Sequence, residues 1–111
     1  MIYFQQALNI ARDINDRRNE EYWLSYLGKV FHRMGQLKQV LNYQQQALDI
    51  GREIGDRLGQ GMILEDMGSV YYGLEQELQA KTCWEQALAI FTEIKSPYAD
   101  RVRKLLNKLS L

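Results

Sequence analysis

The sequence predicts an all-α solenoid, about six helices paired into antiparallel hairpins that bury their apolar sides by stacking. Three observations predict it. The chain repeats itself at a fixed interval, so that adding 40 to a position number finds its counterpart. Gln45-Gln46-Ala47-Leu48, Ile50, Arg52, Ile54 and Asp56-Arg57 follow Gln5-Gln6-Ala7-Leu8, Ile10, Arg12, Ile14 and Asp16-Arg17 at that distance, and Gln86-Ala87-Leu88, Ile90 and Ile94 follow at the same distance again. Repetition on this scale marks units that bury a face only against their neighbours. Apolar residues also recur at spacings of three and four, the signature of a one-sided helix. Finally, the single proline, Pro97, leaves almost every segment free to be helical.

The first element is a helix over 2–14, with Phe4, Ala7, Leu8, Ala11 and Ile14 on one face. Asn15 and its repeat-mate Gly55 close their helices, since asparagine and glycine most readily take the left-handed conformation. Asp16 and Asp56 follow, each placed to accept from the free N–H groups of the next helix. That next helix runs from about Arg17 to Met34, with a stripe of Trp23, Leu24, Leu27, Gly28, Phe31 and Met34. Its repeat, from about Arg57 to Leu74, carries Ile63, Leu64, Met67, Gly68, Tyr71 and Leu74. Gly28 and Gly68 need a reason, because glycine within a helix costs about 1 kcal/mol against alanine. Close approach of a second helix supplies it.

Gly35 breaks the chain, and a helix from about Gln36 to Ile54 places Leu37, Val40, Leu41, Ala47, Leu48 and Ile54 inward. The equivalent from about Gln76 to Ile94 uses Ala80, Cys83, Trp84, Ala87, Leu88, Phe91 and Ile94. Small alanines opposite the glycines fit a helical hairpin. Ser96-Pro97 then starts a last helix, a capping residue before proline at the first helical position. Its Val102, Leu105, Leu106 and Leu109 repeat Leu64, Met67, Gly68 and Tyr71 at an interval of 38, with leucine in place of the glycine. This is expected to be a cap. The organisation is thus one domain over 1–111: a half repeat at 1–15, repeats at 16–55 and 56–95, and a capping helix at 96–111.

Fourteen basic residues balance fourteen acidic ones, so no overall field draws the chain to nucleic acid or to an anionic membrane. The apolar runs fall far short of the roughly 20 residues that span a bilayer, and no charged-then-apolar leader opens the chain. A cytoplasmic protein without nucleic-acid or membrane partners is expected. The one cysteine, Cys83, cannot form an intrachain disulfide.

These residues resemble the tetratricopeptide repeat. Leu24, Leu27, Gly28, Phe31 and Ala47 match its pattern in one copy, and Leu64, Gly68, Tyr71, Ala80, Trp84 and Ala87 in the other. Val40, Gln44, Met67 and Glu75 depart from it, and the family's usual proline near the repeat end is absent. The repeat is longer than the common form of about 34 residues. The 40-residue form, with Ala-Leu-x-Ile at 47–50 and Ile-Gly-Asp-Arg at 54–57, is similar to that of kinesin light chains, spindle-orientation adaptors and bacterial signalling proteins. The resemblance implies a right-handed superhelix whose first helices line a concave groove for a peptide or a partner helix, hence a protein-interaction scaffold.

On those first helices the packing stripe leaves Tyr22, Tyr26, Lys29 and Arg33 free in one copy and Glu65, Asp66 and Tyr72 in the other, with Arg103 added by the cap. Aromatic and basic side chains of this kind recur at interface anchors, while charged outer faces of amphipathic helices are the ordinary alternative. Ser25, Lys29 and Asp66 stand where the family's chaperone-tail clamp wants Lys, Asn and Asn, so that ligand is not expected. No catalytic, cofactor or metal site emerges. His32 is the only histidine, Cys83 and the tryptophans Trp23 and Trp84 lie on packing stripes, and neighbouring Glu65 and Asp66 point about 100° apart.

A second reading is self-association. The helix at 2–14 resembles the latter half of a repeat, leaving Tyr3, Phe4 or Leu8 as unburied apolar surface through which a homo-oligomer would form. The same surface arises in a segment of a longer repeat array or multidomain signalling protein, and both readings stand at this level.

Overall fold

In the computed structural model, which describes residues 2–110, the chain is helical throughout: α1 Ile2–Asp13, α2 Arg17–Arg33, α3 Leu37–Ile54, α4 Arg57–Gly73, α5 Glu77–Glu93 and α6 Tyr98–Leu106. There is no strand among the described residues. Met1 and Leu111, the outer ends of the expected half repeat and cap, lie outside them. Two compact units result, Met1–Asp56 and Arg57–Leu111, each of three helices.

The turns set the architecture. Asn15, Gly35, Gly55, Glu75 and Lys95, evenly spaced along the chain, all have positive φ, between 57° and 75°. Four of them close the same motif, in which the N–H of the left-handed residue and that of its successor reach back across the last helical turn. Asn15 N–H donates to Arg12 O and Asp16 N–H to Ala11 O, and the pattern recurs at 35–36, 75–76 and 95–96. Only two of the five are glycine. The left-handed conformation costs an L-residue roughly 1–2 kcal/mol, so at Asn15, Glu75 and Lys95 the packing of the helices on either side enforces it.

Local side chains cap α2 and α6, whereas α3 and α5 open at Gln36 and Gln76 without a side-chain cap. Asp16 accepts from the Asn19 backbone N–H at 3.2 Å and from its side chain at 2.7 Å, and the Ser96 hydroxyl accepts from Tyr98 N–H at 3.2 Å. Pro97 has helical angles, as a proline opening a helix should.

Within the first unit α2 packs on both α1 and α3, around buried Leu8, Ala11, Leu24, Leu27, Val40, Ala47 and Leu48. Helices α2 and α3 are antiparallel. Arg17 at the start of α2 pairs with Glu53 at the end of α3, while Phe31 near the end of α2 stacks on Tyr43 near the start of α3. The second unit repeats this register in α4 and α5, where Arg57 pairs with Glu93 at 2.5 Å. It encloses Leu64, Val70, Ala80, Trp84, Ala87, Phe91 and Val102, the last from α6.

Several sequence expectations change here. The glycines face large side chains and not alanines: a methyl on Gly68 would lie 2.4 Å from the Trp84 ring and one on Gly61 2.5 Å from Phe91, whereas Gly28 looks onto Gln44. Backbone space is left for those rings. Met34, Ile14 and Ile94, expected on inner stripes, are exposed. Each immediately precedes a left-handed residue, a place where Ile54 and Leu74 are only half-buried. Trp23 is half-buried rather than core, and Leu8, expected to be bare, is fully buried.

Candidate functional site

The first unit brings four of the expected contact residues onto one face of α2. Tyr22, Tyr26, Lys29 and Arg33 are spaced by four, three and four, all exposed. Tyr22 is 57% exposed although its ring is held, edge-on to Trp23 at 5.1 Å and stacked on Tyr26 at 6.4 Å. Tyr26 in turn meets Phe4 of α1 at 4.6 Å, and Trp23 meets Tyr3 at 6.2 Å and Phe4 at 5.6 Å. Aromatic rings fixed by one another lose little freedom on contact with a ligand. Lys29 and Arg33 continue the same face without an ion-pair partner among the described residues. Chemically this is an aromatic shelf leading to two free cations, suited to an anionic peptide side chain beside an apolar one.

The second unit treats its candidates differently. Glu65, expected on the solvated face, is instead 8% exposed and accepts from Arg101 of α6 at 2.6 Å. That hydrogen bond raises the Arg101 pKa further above its already high ordinary value. The Arg101 guanidinium also lies 4.2 Å above the Tyr98 ring, which sits edge-on to Phe91 at 5.6 Å. Glu65 therefore ties α6 to α4. Its neighbour Asp66 is half-buried. Tyr72 is exposed at its edge and packs its ring 5.8 Å from Trp84, and Arg103 is exposed and paired with Asp100 at 2.5 Å. These residues do not form a shelf like that of α2.

Sequence reading did not anticipate the burial of four further polar residues, Glu20, Glu21, Gln44 and Gln60. Glu20 receives Arg12 at 3.3 Å and Arg17 at 2.7 Å, and Arg57 donates to Gln60 at 3.0 Å in the equivalent place of the second unit. The matched Arg17/Arg57 and Glu53/Glu93 at the repeat interval were the available signal. Glu21 had none, since Gly61 stands at its repeat position. Burial, followed by a hydrogen bond to Asp56 and that residue's charge, pushes the Glu21 carboxyl up to about 8 against the pull of Arg18. It therefore holds its proton at neutral pH and donates it toward Asp56. Burial likewise raises the Cys83 thiol, which keeps it neutral and unreactive.

No helix among the described residues is long and apolar enough to cross a membrane. No protein-family model matches the chain, and no curated protein matches it significantly.

Proposed function

We propose that the chain is a protein-binding scaffold of the tetratricopeptide type. The recurring Arg17–Glu53 and Arg57–Glu93 pairs and the even spacing of the turns support one hairpin unit used twice, and the right-handed superhelix with a concave groove is what the resemblance to that repeat implies. The observation that carries the functional reading is the outer face of α2. Its two tyrosines stay exposed although neighbouring rings fix them, and its two cations have no ion-pair partner among the described residues. The occupant is a peptide or partner helix with an aromatic or aliphatic anchor and a nearby carboxylate. The chain acts by holding that segment, without catalysis.

The test is selection of peptides from a random displayed library, followed by affinity measurement through Trp23 fluorescence, since Trp23 touches Tyr22. Acidic, aromatic-containing peptides are expected, weakened about tenfold or more by Tyr22→Ala and by Arg33→Ala, in line with interface anchors. Affinity unchanged in both variants would remove α2 as the binding face.

A further inference from the structure

Helices α1, α3 and α5 occupy the same place in the repeat, yet among the described residues no helix precedes α1. The isoleucine shared at this place shows the effect: Ile50 is 4% and Ile90 7% exposed, while Ile10 is 60% exposed. Tyr3 stands at the place of Tyr43, which stacks on Phe31 of the helix before it, and is also exposed. The charge at the far end is bare as well. Asp13 stands where Glu53 and Glu93 receive Arg17 and Arg57 from the first turn of the preceding helix, and has no ion-pair partner among the described residues.

We propose that this face of α1 docks one amphipathic helix of the same chemistry as α2 and α4. Such a helix carries a basic residue in its first turn to meet Asp13. It carries a glycine at the spacing that separates Arg17 from Gly28 and Arg57 from Gly68, leaving room over Phe4 as Gly68 does over Trp84 and Gly28 over Gln44. Its apolar stripe covers Tyr3, Ala7 and Ile10. The charge and the shape both select this occupant over a second copy of the chain, whose own two helices of that chemistry already have their arginines paired and their glycines filled. The site adjoins the shelf of α2 through Tyr3 and Phe4, which touch Trp23 and Tyr26, but Ile10 and Asp13 belong to it alone and Lys29 and Arg33 to the shelf alone, so variants at those positions tell the two readings apart.

The probe is a fluorescein-labelled peptide of residues 57–73, stapled on its solvent side because an isolated helix of this length is marginal in water, titrated with the full chain by anisotropy. Saturable binding is expected. Ile10→Glu in the chain, or Gly68→Leu in the peptide, weakens it about tenfold or more. Asp13→Arg weakens it about threefold, the size of an exposed ion pair, and a peptide with Arg57→Glu restores the loss. Arg33→Ala leaves it unchanged. Ile10 is exposed, so the variant retains its helical circular dichroism. Absence of saturable binding, or binding indifferent to Ile10→Glu, overturns the proposal. So does a concentration-dependent dimer that Ile10→Glu abolishes, which would assign the face to a second copy.

Discussion

At the scale of single residues, Glu21 carries the clearest pH dependence. Its carboxyl is buried with one oxygen unpartnered and the other group of the pair, Asp56, beside it. Holding the proton in the folded state up to about pH 8, against about 4.5 in the unfolded chain, means that folding takes up a proton between those values. The Glu21 contribution is therefore fully present below pH 4.5 and is lost as pH rises through about 8, with a slope of at most about 1.4 kcal/mol per pH unit. Glu21→Gln keeps a donor toward Asp56 and cannot ionise. Thermal melts should show the variant close to the parent at about pH 4.5 and about 4 °C or more higher at about pH 8. A parent whose melting temperature does not fall relative to the variant across that range would show that Glu21 is ionised in the fold.

At the scale of helices, the interior glycines separate into two kinds. Gly68 lies under the Trp84 ring, whose Nε1 donates to the Glu65 carbonyl at 3.0 Å on the same helix. A methyl there must displace the indole and break that bond, an overpacking cost of about 1–3 kcal/mol plus about 1 kcal/mol for the hydrogen bond, against about 1 kcal/mol gained in helix propensity. Gly68→Ala should thus lower unfolding free energy by about 2 kcal/mol. Gly28 faces only the flexible Gln44 side chain, whose Cγ would stand 3.1 Å from the added methyl. Gly28→Ala should change stability little, by less than the Gly68 variant and in either direction, because the propensity gain offsets a small shift of that side chain. Urea titrations of both variants check the contrast, and equal losses would refute it. The element ends show the same division between local and imposed geometry: Gly35 and Gly55 choose the left-handed turn themselves, whereas Glu75 and Lys95 are held in it by the helices they join.

At the scale of the whole molecule, each unit owns a core. In Arg57–Leu111, Trp84 and Phe91 fill the space left by Gly68 and Gly61, Val102 of α6 is buried, and the Glu65–Arg101 pair fastens that helix. Residues 57–111 expressed alone should keep the helical far-ultraviolet signal and the near-ultraviolet signal of buried Trp84. They should melt cooperatively, at lower temperature than the full chain because a unit of this size buries a smaller share of its surface. Loss of the Trp84 signal in the fragment would show that the core does not belong to the unit.

The helices, the turns at Asn15, Gly35 and Gly55, the hairpin pairing and the capping serine and aspartate were legible in the sequence, from the spacing of apolar side chains, left-handed closers and side-chain caps, whereas the left-handed turns at Glu75 and Lys95 were not. The regular recurrence carried that local grammar to the whole fold class. Which polar groups are buried was decided by the tertiary structure alone. Glu65 has the look of a solvated carboxylate until Arg101 of α6 reaches it, and Glu21 that of an ordinary surface acid until α2 is packed. Leu8 and Ile14 share one apolar stripe, and nothing in their spacing tells that packing buries the first and leaves the second bare. Burial and ionisation depend on what arrives from elsewhere in the chain, and local sequence does not contain that information.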